Sequence, residues 1–165
     1  MCGIFGYIGH QQALPILVEG LRRLEYRGYD STGVAVDDGE SIQTHKTVGK
    51  VADLKAILPP SVEGSLGIAH TRWATHGGVT QVNTHPHASV EGTVHLVHNG
   101  IIENYQQLRR GLAKRGIECV SETDSEVLVH MIALELKNGS TPLKSVQNTL
   151  RRLRGTWGSV SYTHL

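Results

Sequence analysis

Apolar positions along the chain follow two rhythms, one of alternate residues and one of helical turns. Gly3 to Gly9 is a short apolar run in which Ile4, Phe5, Tyr7 and Ile8 lie between glycines. That pattern predicts a buried strand that approaches other backbone closely. Ala13, Ile16, Leu17, Gly20, Leu21 and Leu24 then recur at helical spacing and stop before Tyr26-Arg27-Gly28. Gly33 to Val36 and Ser41 to Val48 read as two strands joined through Asp38-Gly39, a hairpin signal. Val51, Leu54, Ile57 and Leu58 form a short amphipathic helix that Pro59-Pro60 stops.

Leu66 to Thr71 is strand-like, whereas Ala74 to Glu91 is polar, contains glycine and predicts a long loop, a length that usually signals function or mobility. Thr93 to His98 is a further strand ending at Asn99-Gly100, a turn signal. Tyr105 to Arg115 reads as a charged surface helix closed by Gly116, and Ile117 to Val120 as a short strand. From Asp124 the spacing of Val127, Leu128, Met131, Ile132, Leu134 and Leu136 is strongly helical, with Thr123 or Asp124 as its cap. Gly139 ends that helix, and Pro142 opens the next, which carries Leu143, Val146, Leu150 and Leu153. Clustered strands alternating with helices predict an α+β chain of sheet layers covered by helices.

Length and composition narrow the class. The chain has 165 residues, a net charge of +1, 39% hydrophobic and 19% charged residues, enough for one domain with its own core and unlike a disordered chain. The near-neutral balance argues against a nucleic-acid partner. No run of about 18 apolar residues is present, so no membrane span or membrane partner is expected, and MCGIFGYIGHQQ lacks the basic region and long apolar core of a secretory signal. Two cysteines, Cys2 and Cys119, make no disulfide framework and fit a reducing, cytoplasmic setting.

Cys2 gains interest from its place. An unperturbed thiol with a pKa of about 8.5 needs a base, and removal of Met1 would free an α-amino group of pKa about 7.7 to 8.0 on the same residue. Gly3 would leave room for substrate beside the thiol. Position alone also admits an accidental, half-buried cysteine. Ten histidines offer a different chemistry. His85 and His87, with His70, His76 or His98, could supply three imidazoles to zinc, although no supporting carboxylate motif accompanies them and strand histidines are often satisfied core residues. Cys119 reads as a buried structural thiol, and Arg151, Arg152 and Arg154 as the solvated end of a helix.

Several motifs occur in one order: Cys2-Gly3-Ile4, the run Leu24 to Ser31 (LEYRGYDS), Gly67 to Gly77 (GIAHTRWATHG), Asn83 to His87 (NTHPH), His98 to Asn104 (HNGIIEN) and Ser121 to Asp124 (SETD). Together they closely resemble the N-terminal glutaminase domain of the glutamine-fructose-6-phosphate aminotransferases, which are class II amidotransferases. The likeness runs from Cys2 to about Gly158. Other class II enzymes share the Cys-Gly-Ile start, while the Tyr-Arg-Gly-Tyr-Asp-Ser and Arg-Trp-Ala-Thr-His forms are those of this branch.

The resemblance implies an N-terminal-nucleophile hydrolase fold, a four-layer α/β/β/α sandwich of antiparallel sheets. It implies a domain over residues 2–158 that is incomplete at its C-terminal side, with 159–165 an uncertain tail departing from the apolar strand expected there, and with the sugar-phosphate isomerase domains absent. It further implies hydrolysis of L-glutamine to glutamate and ammonia through a Cys2 thioester, with no cofactor and no metal. Asn99, through its side-chain amide, and Gly100, through its backbone N–H, would hold the oxyanion. Arg72 would bind the glutamine α-carboxylate with Thr75 and His76 nearby, and Asp124 the α-ammonium. Trp73 belongs to a segment that closes over glutamine, against the alternative of a core tryptophan. Arg27 would help order the site, against a salt bridge to Asp30 or Glu25. In the full-length family protein, a homo-oligomer, the ammonia converts fructose 6-phosphate to glucosamine 6-phosphate. The rivals are a zinc-dependent hydrolase using the histidines and a non-catalytic binding module that retains Met1.

Overall fold

Strand β1 (Gly3–Ile8) follows the opening apolar run, and helix α1 (Ala13–Leu24) follows the helical spacing after it. A single 3-10 turn (Glu25–Arg27) leads into β2 (Ser31–Asp37), β3 (Ile42–Val48), α2 (Val51–Ile57) and β4 (Leu66–Arg72). The second half contributes β5 (His87–Ala88), β6 (Val94–Ile102), α3 (Tyr105–Ala113), α4 (Ser125–Lys137), α5 (Pro142–Leu150) and β7 (Gly155–Thr163). This computed structural model describes residues 2–75 and 77–163. Met1, His76, His164 and Leu165 lie outside them.

The strands form two antiparallel sheets, in the orders β1-β4-β2-β3 and β5-β6-β7. Alternation along the strands sorts side chains into layers. Val34 and Val36 of β2 face α1 and α2, packing with Leu17, Leu21 and Leu54. Ala35, one residue out of phase, meets Ile68 and Val97 between the sheets, with Ile4 and Ile42 beside them. Val94, Leu96 and Ile102 of β6 pack on the other side against Leu108, Leu112, Leu128, Met131 and Ile132 from α3 and α4. The result is helices, sheet, sheet, helices, as the resemblance implied.

Two registers decide where chemistry can sit. Gly3 pairs with Thr71 and Ile4 with His70, so the start of the chain lies beside the end of β4. On the second sheet Asn99 pairs with Gly158 and Gly100 with Trp157, so β6 runs straight through the Asn99-Gly100 pair to Ile102. The turn expected there is absent because β7 supplies a strand partner on both sides of it. Gly100 still needs its special backbone, with φ at +136° and a position where a Cβ would meet the Thr156 carbonyl oxygen.

Other expectations shift for similar reasons. Ile117 to Val120 is not a strand. Arg109 Nη2 donates to the carbonyls of Cys119 (2.9 Å) and Ser121 (2.6 Å), and the Glu126 carboxylate accepts the N–H groups of Val120 (2.9 Å) and Ser121 (2.6 Å). Side chains thus take the backbone groups that a neighbouring strand would use. The long loop after Ala74 contains one short strand, β5. Helix α5 begins as its sequence implies, with Pro142 in the first turn and Thr141 Oγ1 accepting the Lys144 N–H at 3.4 Å. Beyond Gly158 the backbone continues as β7 to Thr163, paired with β6 throughout.

Candidate active site

The end of β4, the start of β1, the distal half of β6 and the start of α4 converge on a cavity of about 330 Å³. Cys2, Arg27, Arg72, Trp73, Thr75, Asn99, Gly100 and Asp124 all line it. Among the described residues, every expected site residue is therefore brought to one place; His76 lies outside the described residues.

Cys2 is half-buried, and its Sγ accepts the Trp73 backbone N–H at 3.2 Å. Its carbonyl oxygen accepts Asn99 Nδ2 at 3.2 Å, which ties the nucleophile candidate on the first sheet to the amide donor on the second. Gly3 does not provide space for a substrate. A Cβ there would lie 2.8 Å from Leu24 Cβ and 2.8 Å from Thr71 Oγ1, so the missing side chain lets α1 close on β1.

The two charged candidates are satisfied differently. Arg72 is almost wholly buried and donates to the carbonyls of Gly78 (Nη1, 3.0 Å) and Gly77 (Nη2, 3.4 Å), so it braces the following loop while lining the cavity. Asp124 does not cap α4 with its side chain, contrary to one reading of the sequence. Its Oδ2 instead accepts the Ile102 N–H at 2.8 Å, fastening α4 to β6, and Ser125 Oγ donates to its Oδ1 at 3.3 Å. Trp73 is 47% exposed, so it is no core tryptophan, and its ring meets Tyr29 edge to face at 6.0 Å. Glu25 and Asp30, the carboxylates near Arg27 in sequence, accept the Val51 N–H (2.7 Å) and the Ala74 N–H (2.8 Å) respectively.

The histidines form a buried cluster in the cavity wall, which His70, His85 and His98 line. His70 and His85 lie face to face with ring centroids 4.2 Å apart, and His87 meets His85 edge on at 4.6 Å. His87 Nε2 contacts Thr123 Oγ1 (2.9 Å), His98 Nδ1 contacts Ser125 Oγ (2.9 Å), and His85 Nδ1 accepts the His98 backbone N–H (3.3 Å). Burial lowers all four rings, His70 to about 4 and His87 to about 3, so they are uncharged at neutral pH. Stacked faces and hydroxyl partners do not present three nitrogens to one point, which overturns the zinc alternative for these residues. Among the described residues only Cys119, Glu126 and His130 bring possible ligand atoms within 4.8 Å of one another. Both oxygens of that carboxylate already accept backbone N–H groups. Cys119 itself is half-buried, its thiol pushed up to about 11 by desolvation and the nearby Glu126.

His98, Thr123 and Ser125 also line the cavity, although the sequence suggests only a zinc ligand for His98, a helix cap for Thr123 and nothing for Ser125. Their signal was adjacency, since His98 precedes Asn99, and Thr123 and Ser125 flank Asp124. Arg151, Arg152 and Arg154 are exposed beyond α5, as expected of a solvated helix end. Among the described residues no helix is long and apolar enough to cross a membrane.

Comparison with known proteins identifies the family and the fold. Residues 70–164 match the family described as "Glutamine amidotransferase domain". Glutamine-fructose-6-phosphate aminotransferase (isomerizing) of Vibrio parahaemolyticus is 50% identical over 163 residues, 98% of this chain and 26% of that protein. The same enzyme of Clostridium tetani is 49% identical over 158 residues, 95% of this chain and 26% of that protein. The chain thus spans about a quarter of the length of these curated relatives. Among solved structures, glutamine phosphoribosylpyrophosphate amidotransferase from B. subtilis, complexed with ADP and GMP, superposes with a TM-score of 0.84 at 29% identity, covering 99% of this chain and 35% of that one. An allosteric regulatory enzyme of purine biosynthesis gives 0.85 at 31% identity over the same shares. The four-layer arrangement is that of the N-terminal-nucleophile amidotransferases, and the chain belongs to the glutamine amidotransferase domain family.

Proposed function

We propose that the cavity hydrolyses L-glutamine to glutamate and ammonia with Cys2 as nucleophile. The supporting observation is that Cys2, Asn99 and Gly100 line one cavity together with Arg72 and Asp124. The Cys2 thiolate attacks the side-chain amide carbon, and the negative charge that develops on oxygen is held by Asn99 Nδ2–H and the Gly100 N–H. Collapse of that intermediate expels ammonia and leaves a thioester, which water hydrolyses to glutamate and free thiol. With Met1 removed, the α-amino group of Cys2 takes the thiol proton and returns it to the leaving nitrogen. Arg72 and Thr75 receive the α-carboxylate with His76, Asp124 the α-ammonium, Trp73 covers the bound amino acid, and Arg27 orders the wall beside Cys2. Opposite charges at the two ends select free glutamine over a peptide amide.

In the whole protein the same reading sends the ammonia to fructose 6-phosphate held by another domain, giving glucosamine 6-phosphate for hexosamine synthesis, in a cytoplasmic homo-oligomer. The 165-residue chain alone would act as a glutaminase. Domain limits of 2–158 belong to this proposal, with β7 supporting an extension to Thr163. The test couples intact mass, glutamine turnover and an electrophilic glutamine analogue. Protein lacking Met1 should release ammonia and take one label at Cys2, and Cys2→Ala should do neither. Mature protein that neither turns over glutamine nor labels at Cys2 would overturn the reading.

A further inference from the structure

The amide of Asn99 sits between two groups that together fix which way it points. On one side its Nδ2 lies 3.2 Å from the carbonyl oxygen of Cys2, a group that can only accept. The NH₂ end must therefore face Cys2, which turns Oδ1 towards His70, whose Nε2 is 2.8 Å away. An amide oxygen can only accept, so that nitrogen of His70 must carry the hydrogen. One proton on an imidazole thus decides the orientation of an amide on the opposite sheet.

We infer that His70 is a positioning residue which, as the Nε2–H tautomer, locks the Asn99 amide with its NH₂ end towards the thiol. The inference rests on the reading of Cys2 and Asn99 given above. The amide has two hydrogens, and one is held by the Cys2 carbonyl. The other remains for the oxyanion only while the amide cannot rotate by half a turn, an exchange that would present an oxygen to the developing negative charge. His70 is fit for this duty. It is 1% exposed, and burial keeps its ring neutral, so it donates at Nε2 without bringing a charge beside the thiol. Its ring is gripped by the parallel face of His85 at 4.2 Å. His85 in turn reaches that place because Gly33 has no Cβ, which would run into the His85 carbonyl oxygen.

Glutamine and methionine side chains both reach as many bonds from Cα as imidazole Nε2, but only glutamine ends in a donor. His70→Met should lower kcat for glutamine about tenfold or more, towards the 10² to 10³ lost with a whole oxyanion donor, while KM stays within about twofold. His70→Gln should recover most of kcat. Alkylation of Cys2 by iodoacetamide, a displacement that forms no oxyanion, should proceed at the wild-type rate in both variants. In the wild-type chain, imidazole ¹⁵N shifts should show His70 with a hydrogen at Nε2 and a bare Nδ1 between pH 6 and 8, a readout that needs no variant to fold. A bare Nε2, an unchanged kcat in His70→Met, or equal losses of turnover and alkylation without rescue by glutamine would each overturn the inference. If wild-type mature protein does not hydrolyse glutamine at all, the reading of the site has failed and the inference with it, a result visible before any variant is made.

Discussion

Asp124 carries two duties with one carboxylate. Its Oδ2 is spent on the Ile102 N–H and its Oδ1 takes a long bond from Ser125, yet the group is 4% exposed and lines the cavity. A carboxylate so enclosed lacks a cationic partner in these bonds, and the α-ammonium of glutamine would provide one. A hydrogen bond to a charged group contributes about 1.5 to 3 kcal/mol, so Asp124→Asn, which keeps an acceptor for Ile102, should raise the glutamine KM roughly 10- to 100-fold with kcat within a few-fold. Steady-state kinetics decide this, and an unchanged KM would remove Asp124 from the binding site. The candidate site residues were legible in the sequence through the ordered motifs that resemble the aminotransferase glutaminase domain, since residue type alone left Asn99-Gly100 as a turn and Asp124 as a helix cap. What each also does for the fold was not. Nothing in the string shows that Arg72 braces Gly77 and Gly78, or that the space opened by Gly3 is filled by Leu24. His70 was visible only as one of many histidines, since its meaning depends on facing Asn99 from another sheet.

At the level of elements, the segment after β4 is held to the start of α4 by a reciprocal clamp. Asn83 donates to Glu122 Oε2 (2.8 Å) and accepts the Glu122 N–H (2.9 Å), while Glu122 Oε2 also accepts the Gly78 N–H (2.9 Å). Those bonds, the Gly78 N–H first and the Asn83 amide next, hold the Glu122 carboxyl below the usual carboxylate range. A depressed folded-state pKa means the clamp is at full strength above the unfolded value of about 4.3 and is lost as pH falls through the folded one. Amide-exchange protection at Gly78 should therefore fall several-fold in Glu122→Ala at neutral pH, and the wild-type protection should show an acid step that the variant lacks. Equal protection in the two proteins would discard the clamp. The sequence marked this stretch as a long loop, and rightly so in the main, but the partner that orders it lies about 40 residues away. Helices and most strands were legible because their apolar spacing is local. The two failures, a strand at Ile117–Val120 and a turn at Asn99-Gly100, arise where distant groups, the Arg109 and Glu126 side chains and β7, supply the backbone's hydrogen bonds instead.

The whole molecule is two sheets closed on each other, and the order β1-β4-β2-β3 could not be read from spacing because it pairs strands separated by most of the first half of the chain. The layered class was legible, the pairing was not, and the site exists only through the pairing, since β1, β4 and β6 must meet before Cys2 reaches Asn99. The same topology leaves β7 at an edge. Among the described residues it pairs with β6 alone, and Tyr162, whose hydroxyl donates to Asp37 of β2, pins its far end to the first sheet. Its residues from Gly155 to Val160 are mostly exposed, with Val160 38% and neighbouring Ile101 46% accessible. A nine-residue strand with a free row of N–H and C=O groups and few charges is a template for another strand. The chain should therefore associate as its concentration rises through the micromolar range, and Ser159→Lys, which sets a solvated charge on that edge, should weaken the association without altering glutamine turnover. Sedimentation velocity across a dilution series separates the outcomes. A single monomer boundary at every concentration would show that the edge is protected, whereas association that Ser159→Lys leaves untouched would move the contact to another surface, for which the exposed Ile8 at the end of β1 offers the next apolar position.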